Sequence, residues 1–227
     1  MEPQSIFPAV EWHKELDSTN NEAKRRLESI DNLSIIAAVH QSAGRGRGSH
    51  SWITRPGENL TFSLVLQFGE GGQAPLPAAE AVRITHFITV SLCDFLISEG
   101  VEPRIKWPND LWAGDRKVCG ILIENTFEGG GVRSSIIGVG LNLNQTEFDP
   151  RLPNPTSVGI LTGRRYDIYA AMDTLYKIFC RRAEQLDSEG GRERLELEFS
   201  ERMFVLDKGS QGKLQQSIDN FEATKSL

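Results

Sequence analysis

The sequence predicts an α+β fold: a mixed, largely antiparallel sheet with helices packed on one face. Three observations carry this. Strand-like stretches cluster between residues 34 and 144, helical periodicity is confined to a few separate segments, and the two do not alternate as a regular βαβ chain requires. The 227 residues allow one to two domains, and 39% hydrophobic with 25% charged residues is ordinary for a globular chain.

Thr19 and Glu22 stand at capping-box spacing, and Ala23, Leu27 and Ile30 follow at i, i+4 and i+7, which predicts a helix over 20–30. Strand-like SIIAAVH then ends at His40. From Gln41 to Glu58 the chain is rich in Gly, Ser and Arg without a period, a long loop of the kind that is commonly functional. Leu60, Phe62, Leu64, Leu66 and Phe68 alternate with Thr61, Ser63, Val65 and Gln67, the pattern of a strand with one core face. A helix over 78–99 is expected to bury Ala81, Val82, Thr85, Ile88, Leu92, Phe95 and Leu96 and to end at Gly100. Strands follow at RIKW, then at LWAG turned at Gly114-Asp115 into RKVCGILIENTF, then at VRSSIIGVGLNLN after a Gly-rich turn. Beyond a Pro-rich loop at 150–155, helices are expected over 167–186 and 192–204. These elements make one domain of residues 1–204, and 205–227 read as a short polar tail.

Composition narrows the function. With 25 basic and 31 acidic residues the net charge is −6, which disfavours a nucleic-acid binder relying on a broad basic surface. Cys93, Cys119 and Cys180 are too dispersed for a disulfide framework or a thiolate zinc site, and His13, His40, His50 and His86 lack ligand spacing, so no metal site is expected. The N-terminus does not read as a signal peptide, and no apolar run of about 18 to 20 residues is evident. A cytoplasmic protein without membrane association is expected.

Three segments could carry chemistry. In Gly44-Arg45-Gly46-Arg47-Gly48, glycines let backbone approach a ligand while the guanidinium forks match carboxylate or phosphate, and Trp52 could stack on a base. A flexible turn or a single-strand nucleic-acid binder remains open for those residues alone. In Lys106-Trp107-Pro108-Asn109-Asp110, proline favours extended geometry before it and a turn after it, so a strand-turn-strand should bring Lys106, Asp110 and Lys117 together. In Gly138-Val139-Gly140-Leu141-Asn142, glycines inside an apolar strand imply close approach, and Asn142 is either a site group or a hydrogen-bonded bulge residue. Ser18-Thr19-Asn20 is accounted for by capping, and Glu124 by the solvent face of its strand.

In their order, Ser18-Thr19-Asn20, Gln41 through Trp52, Lys106 to Asp110, Lys117, Gly120 through Glu124 and Gly138 to Asn142 closely resemble the catalytic domain of biotin protein ligases, over residues 10–145. The resemblance implies the fold of lipoate ligases and class II synthetase catalytic domains. It also implies an ATP-dependent enzyme that makes biotinyl-5'-AMP and moves biotin to a lysine of a biotin carboxyl carrier domain, with Mg2+ accompanying ATP. Carried over, Ser18, Thr19, Asn20, Gln41, Gly120, Leu122, Gly138 and Gly140 would line the biotin pocket, with Arg45, Gly46 and Arg47 over the biotin carboxylate and adenylate phosphate and Lys117 meeting both. Gly44, Trp52, Lys106, Asn109 and Asn142 would meet the adenylate. Lys117 would be the main catalytic cation, helped by Arg45 and Arg47, with Asp110 a candidate base for the acceptor amine. Because the motifs begin near Met1, no DNA-binding helix-turn-helix is expected, and the tail shows no convincing SH3-like barrel. A monomer or homodimer is compatible with these features. The rivals are a lipoate or octanoate ligase on the same fold, a single-stranded nucleic-acid module, and a family member that binds biotin without catalysis.

Overall fold

The computed structural model describes residue 7 and residues 9–204, so the tail expected at 205–227 lies outside the described residues. In chain order the elements are β1 (Val10–Leu16), α1 (Thr19–Arg25), β2 (Ile35–Gln41), β3 (Leu60–Gln67), β4 (Leu76–Pro77), α2 (Val82–Ser98), β5 (Pro103–Lys106), β6 (Asp110–Ala113), β7 (Arg116–Glu128), β8 (Gly131–Leu141), α3 (Val158–Thr162), α4 (Ile168–Ala183) and α5 (Glu189–Arg202). The strands form one sheet in the order β1-β2-β3-β8-β7-β6-β5, with β4 pairing β8 off that path. Only β1 and β2 run parallel; every other pairing is antiparallel. The expected α+β class with a mixed, largely antiparallel sheet is the one observed.

The sheet has two unlike faces. Leu60, Phe62, Leu64 and Leu66 of β3 enter the main core together with Ile84, Phe87 and Leu92 of α2 and Phe179 of α4. Phe62 and Phe179 approach to 5.9 Å between ring centres and Phe87 and Phe179 to 6.3 Å, so Phe179 ties α4 to both the sheet and α2. Each such side chain contributes roughly 1.5 to 3 kcal/mol when fully removed from water. On the opposite face Ala23 of α1 joins Ile36, Val65 and Ile136 in a second, smaller cluster, with Leu16, Leu27 and Ile30 against it. The three longer helices therefore share one face, and α1 covers part of the other.

That arrangement corrects two expectations. β3 has no solvent face: Ser63 and Val65 are as buried as their apolar neighbours because α1 lies over them, and Thr61 is buried as well, donating to Ala38 O. Helix α1 is also shorter than the predicted 20–30, and only Ala23 of the expected stripe lies in it; Leu27 and Ile30 follow in the turn beyond and pack on the same cluster. In α2 the predicted stripe is misplaced at its start. Val82 is 43% exposed, whereas Ile84, Phe87, Val90 and Cys93 are buried, because the helix is packed between the sheet on one side and α4 and α5 on the other. Residues Ala78–Ser98 are long and apolar enough to cross a bilayer by length and composition, which the absence of a long apolar run did not anticipate; most of that segment is buried inside the protein. Gly100 ends α2 as expected, at φ +83, a conformation that a Cβ disfavours.

Candidate active site

β1 and β2 end side by side, with Leu16 opposite Gln41, and the chain turns from β1 directly into α1. A helix start leaves backbone N–H groups without partners. Ser18 occupies the N-cap position with extended backbone but makes no side-chain cap bond. Instead Thr19 N donates to Gln41 Oε1 at 2.8 Å, and Thr19 Oγ1 lies 3.2 Å from the same oxygen. The expected Thr19–Glu22 capping box is thus not formed, and Glu22 pairs with Arg25. Ser63, from the buried side of β3, places Oγ 2.8 Å from Thr19 Oγ1 and 2.6 Å from Asn20 Oδ1. A hydroxyl has one proton, so the nearer amide oxygen takes it. Ser18, Thr19, Asn20 and Ser63 are all buried, and with Gln41 they make a polar cluster at one end of the α1 face.

Beside it the sheet is floored with glycine. Gly120 pairs with Gly140 and Leu122 with Gly138, so the four residues share a face. A Cβ on Gly138 would lie 2.2 Å from Asn20 Oδ1, and one on Gly140 would lie 2.1 Å from the Trp52 indole. At Gly120 it would lie 2.8 Å from the same ring. A side chain at any of the three would displace Asn20 or Trp52 from its present position. The Arg-Gly loop folds back through a bridge between Arg45 and Ser51, and Trp52 N donates to Gly44 O at 2.9 Å. Trp52 is thereby laid over the glycine floor. Its Nε1 is buried without a hydrogen-bond partner among the described residues.

The cations come from the other end. Regular alternation along β7 would point Lys117 away from Gly120, three residues on. A register shift against β6 breaks that alternation: Leu111 pairs with Cys119 and Trp112 with Lys117, leaving Val118 as the extra residue. Val118 and Cys119 both enter the main core, and Lys117 turns onto the glycine face, its Nζ 3.3 Å from where a Gly120 Cβ would be. The Pro-rich loop clamps its backbone, since Lys117 N donates to Asn154 O at 2.8 Å and Thr156 N donates to Lys117 O at 2.9 Å. Lys117 Nζ lies 2.7 Å from Asp110 Oδ1 and 5.5 Å from the centre of the Trp52 ring. Lys106 Nζ stands 3.9 Å over Trp112. Burial pushes its ammonium below the usual lysine range, with Asp110 opposing and Lys117 adding to the effect. The hairpin does bring Lys106, Asp110 and Lys117 together.

Other expected residues are placed differently. Asn109 Nδ2 donates to Ile121 O at 3.1 Å and Asn142 Nδ2 to Thr156 O at 2.9 Å, so both amides brace backbone at the rim of the site. Gly46 packs on His50, and Arg47 is exposed. Two residues escaped sequence reasoning. Ser63 is hidden in an alternating strand, and its signal is a small polar side chain opposite Gly138, visible only once register is known. Glu124, read as a solvent-facing residue, instead receives Asn20, Lys24 and Arg45. Burial raises its carboxyl, but these three partners outweigh that and hold it below the ordinary range.

The family model described as "Biotin/lipoate A/B protein ligase family" matches residues 12–142, the stretch from β1 to the end of β8 that contains every element of this site except the Pro-rich clamp. A biotin--[acetyl-CoA-carboxylase] ligase of Paracoccus denitrificans is 34% identical over 181 residues, covering 77% of this chain and 72% of that one. The bifunctional ligase/repressor BirA of Escherichia coli is 33% identical over 61% of this chain, which spans 42% of its length. Among solved structures, the biotin protein ligase of Aquifex aeolicus in complex with biotin and ATP superposes with a TM-score of 0.69 at 23% identity, over 88% of this chain and 80% of that one. The Leishmania major biotin protein ligase with biotin gives 0.72 at 18% identity, over 89% and 85%. At these identities the two structures speak to the fold, and the sequence matches to descent: the chain belongs to the biotin/lipoate A/B protein ligase family.

Proposed function

We propose that the protein activates biotin with ATP as biotinyl-5'-AMP and transfers the biotin to one lysine of a carrier domain of a biotin-dependent carboxylase. The observation that carries this reading is the pairing of two unlike ends on one glycine floor. A polar cluster of buried Thr19, Asn20 and Ser63 with half-buried Gln41 lies at one end and Lys117 with Asp110 at the other, and the Arg-Gly loop spans the two, with Arg45 beside Asn20 on Glu124 and Trp52 beside Lys117. A ureido ring presents two N–H donors and a carbonyl acceptor, which hydroxyls and amides match, whereas a fatty acyl chain calls for an apolar tunnel. Gly120, Leu122, Gly138 and Gly140 form the floor between the two ends, on which Asn20 and Trp52 now lie and over which the bicyclic ring and its chain would be held.

In the first step a carboxylate oxygen of biotin attacks the α-phosphorus of ATP, the bond to the β-phosphate oxygen breaks, and pyrophosphate leaves. Two anions must meet, so Lys117 and Arg47 offset their repulsion and stabilise charge on the phosphoryl oxygens. Lys106 adds to this positive field, and Trp52 covers the adenylate. Mg2+ is expected to arrive on the nucleotide phosphates; the site carboxylates Asp110 and Glu124 are already engaged by cations. In the second step the carrier lysine amine attacks the acyl carbon and AMP leaves. Asp110, a candidate base, is gripped at 2.7 Å by Lys117, and holding that ammonium in place is the role its geometry favours.

The test is transfer. With ATP, Mg2+ and labelled biotin, label is expected on a purified biotin carboxyl carrier domain and absent when its acceptor lysine is replaced by arginine. Labelling of a lipoyl domain with lipoate, and none of the biotin carrier, would move the protein to the lipoate branch of its family.

A further inference from the structure

The Arg-Gly loop meets the rest of the protein through two side chains. Trp52 lies on Gly120 and Gly140, and Arg45 reaches Glu124, four residues beyond Gly120 on the same face of β7. The contact is a fork: Arg45 Nη1 donates to Oε2 and Nη2 to Oε1, both at 3.1 Å. The same carboxylate accepts from Lys24 Nζ at 3.1 Å and from Asn20 Nδ2 at 3.0 Å, and Arg45 Nη1 also donates to Asn21 Oδ1 at 3.1 Å. Loop, α1 and β7 therefore converge on one carboxylate whose side chain is 21% exposed. A guanidinium–carboxylate fork fixes orientation as well as distance. Among the described residues Arg47 has no ion-pair or side-chain hydrogen-bond partner of this kind. The two loop arginines are unequal: the charge of Arg45 is already met, and that of Arg47 is open to an anion.

We propose that Glu124 is the positioning residue of the loop, with Arg45 as its anchor, which leaves Arg47 free for the role given to it above. The proposal rests on the biotin-activating reading above for its substrate, though not for its geometry. Glu124 touches no reacting atom; it acts through Arg45 by keeping the loop, and with it Trp52, down on the glycine floor. A mixed anhydride is lost to water when such a cover lifts, so the latch governs how long the acyl-adenylate waits for the carrier.

The full chain is compared with Glu124→Gln, Arg45→Gln and the double variant in two ways. Hydrogen exchange is followed at amides 44–52 without ligand, and the escape of biotinyl-AMP formed in place from biotin and ATP is timed. Each single variant is expected to speed loop exchange and adenylate escape about tenfold, the low end for a charge-assisted pair in partial contact with water. The double variant is expected to go no further than either single one, since both remove the same contact. Exchange in β3 and β8 should stay at the parent's rate, which separates a lifted loop from general loss of structure. Arg47→Gln should leave loop exchange unchanged and weaken adenylation. Loop exchange in Glu124→Gln equal to the parent's overturns the proposal, as do additive effects of Glu124→Gln and Arg45→Gln. A parent protein that makes no biotinyl-AMP removes the biotin reading, and the loop-exchange comparison alone then decides for or against Glu124.

Discussion

Lys117 owes its place to its neighbours more than to its own charge. The Val118 bulge turns it to the glycine face, Asn154 and Thr156 clamp its backbone, and Asp110 holds its ammonium at 2.7 Å. A positioned cation at developing charge is worth about 3 to 4 kcal/mol, so Lys117→Ala should slow adenylation by about a hundred- to a thousandfold. Rapid-quench measurement of biotinyl-AMP checks this, and near-normal adenylation by the variant removes Lys117 from the role. Glu124 yields a prediction of pH dependence. Its carboxyl is held low in the folded protein, so its ion pairs stabilise the loop fully above the ordinary glutamate range and are lost as pH falls through the lowered value. Loop amide protection, corrected for intrinsic exchange, should be level from neutrality down to the ordinary glutamate range and fall only at pH values below it. At this scale the sequence disclosed residue types but not partners. Arg45, Lys106, Asp110 and Lys117 were legible as candidates, whereas the hub at Glu124 and the buried Ser63 depend on which strands lie side by side.

The elements show where one-dimensional patterns reach their limit. Period-2 alternation located β3 but took Ser63 and Val65 for a solvent face, because no local signal says that α1 will fold across them. Spacing located α2 but misplaced the start of its stripe, since a helix packed on two sides has no single inward face. The capping-box pattern at Thr19 was met by Gln41, an acceptor 22 residues away in sequence. The glycines of β7 and β8, by contrast, meant what they appeared to mean. Gly140→Ala places a methyl group 2.1 Å from the Trp52 ring, so the loop must rise. Adenylation and loop protection should both fall about tenfold or more, while the midpoint of urea unfolding moves little, as the strand itself gains a residue better suited to it. Gly190→Ala in α5 meets nothing within 4 Å and serves as the control: stability should rise by about 0.5 to 1 kcal/mol with adenylation unchanged.

For the molecule as a whole, the division of labour lies between two faces of one sheet. The face toward α2, α4 and α5 holds the main core; the other holds α1, the glycine floor and the cation cluster. Strand content without βαβ alternation was enough to read the α+β class, and the order of short motifs was enough to read the family. The side of the sheet on which each motif falls was not readable, because a single bulge reverses it. The measurement that tests the account most directly is to incubate the protein with ATP and Mg2+ and with biotin, octanoate or lipoate in parallel, and to identify the acyl-adenylates by mass spectrometry. The account predicts biotinyl-AMP and neither of the others. Octanoyl- or lipoyl-AMP in its place, or no adenylate from any of the three acids, would contradict it.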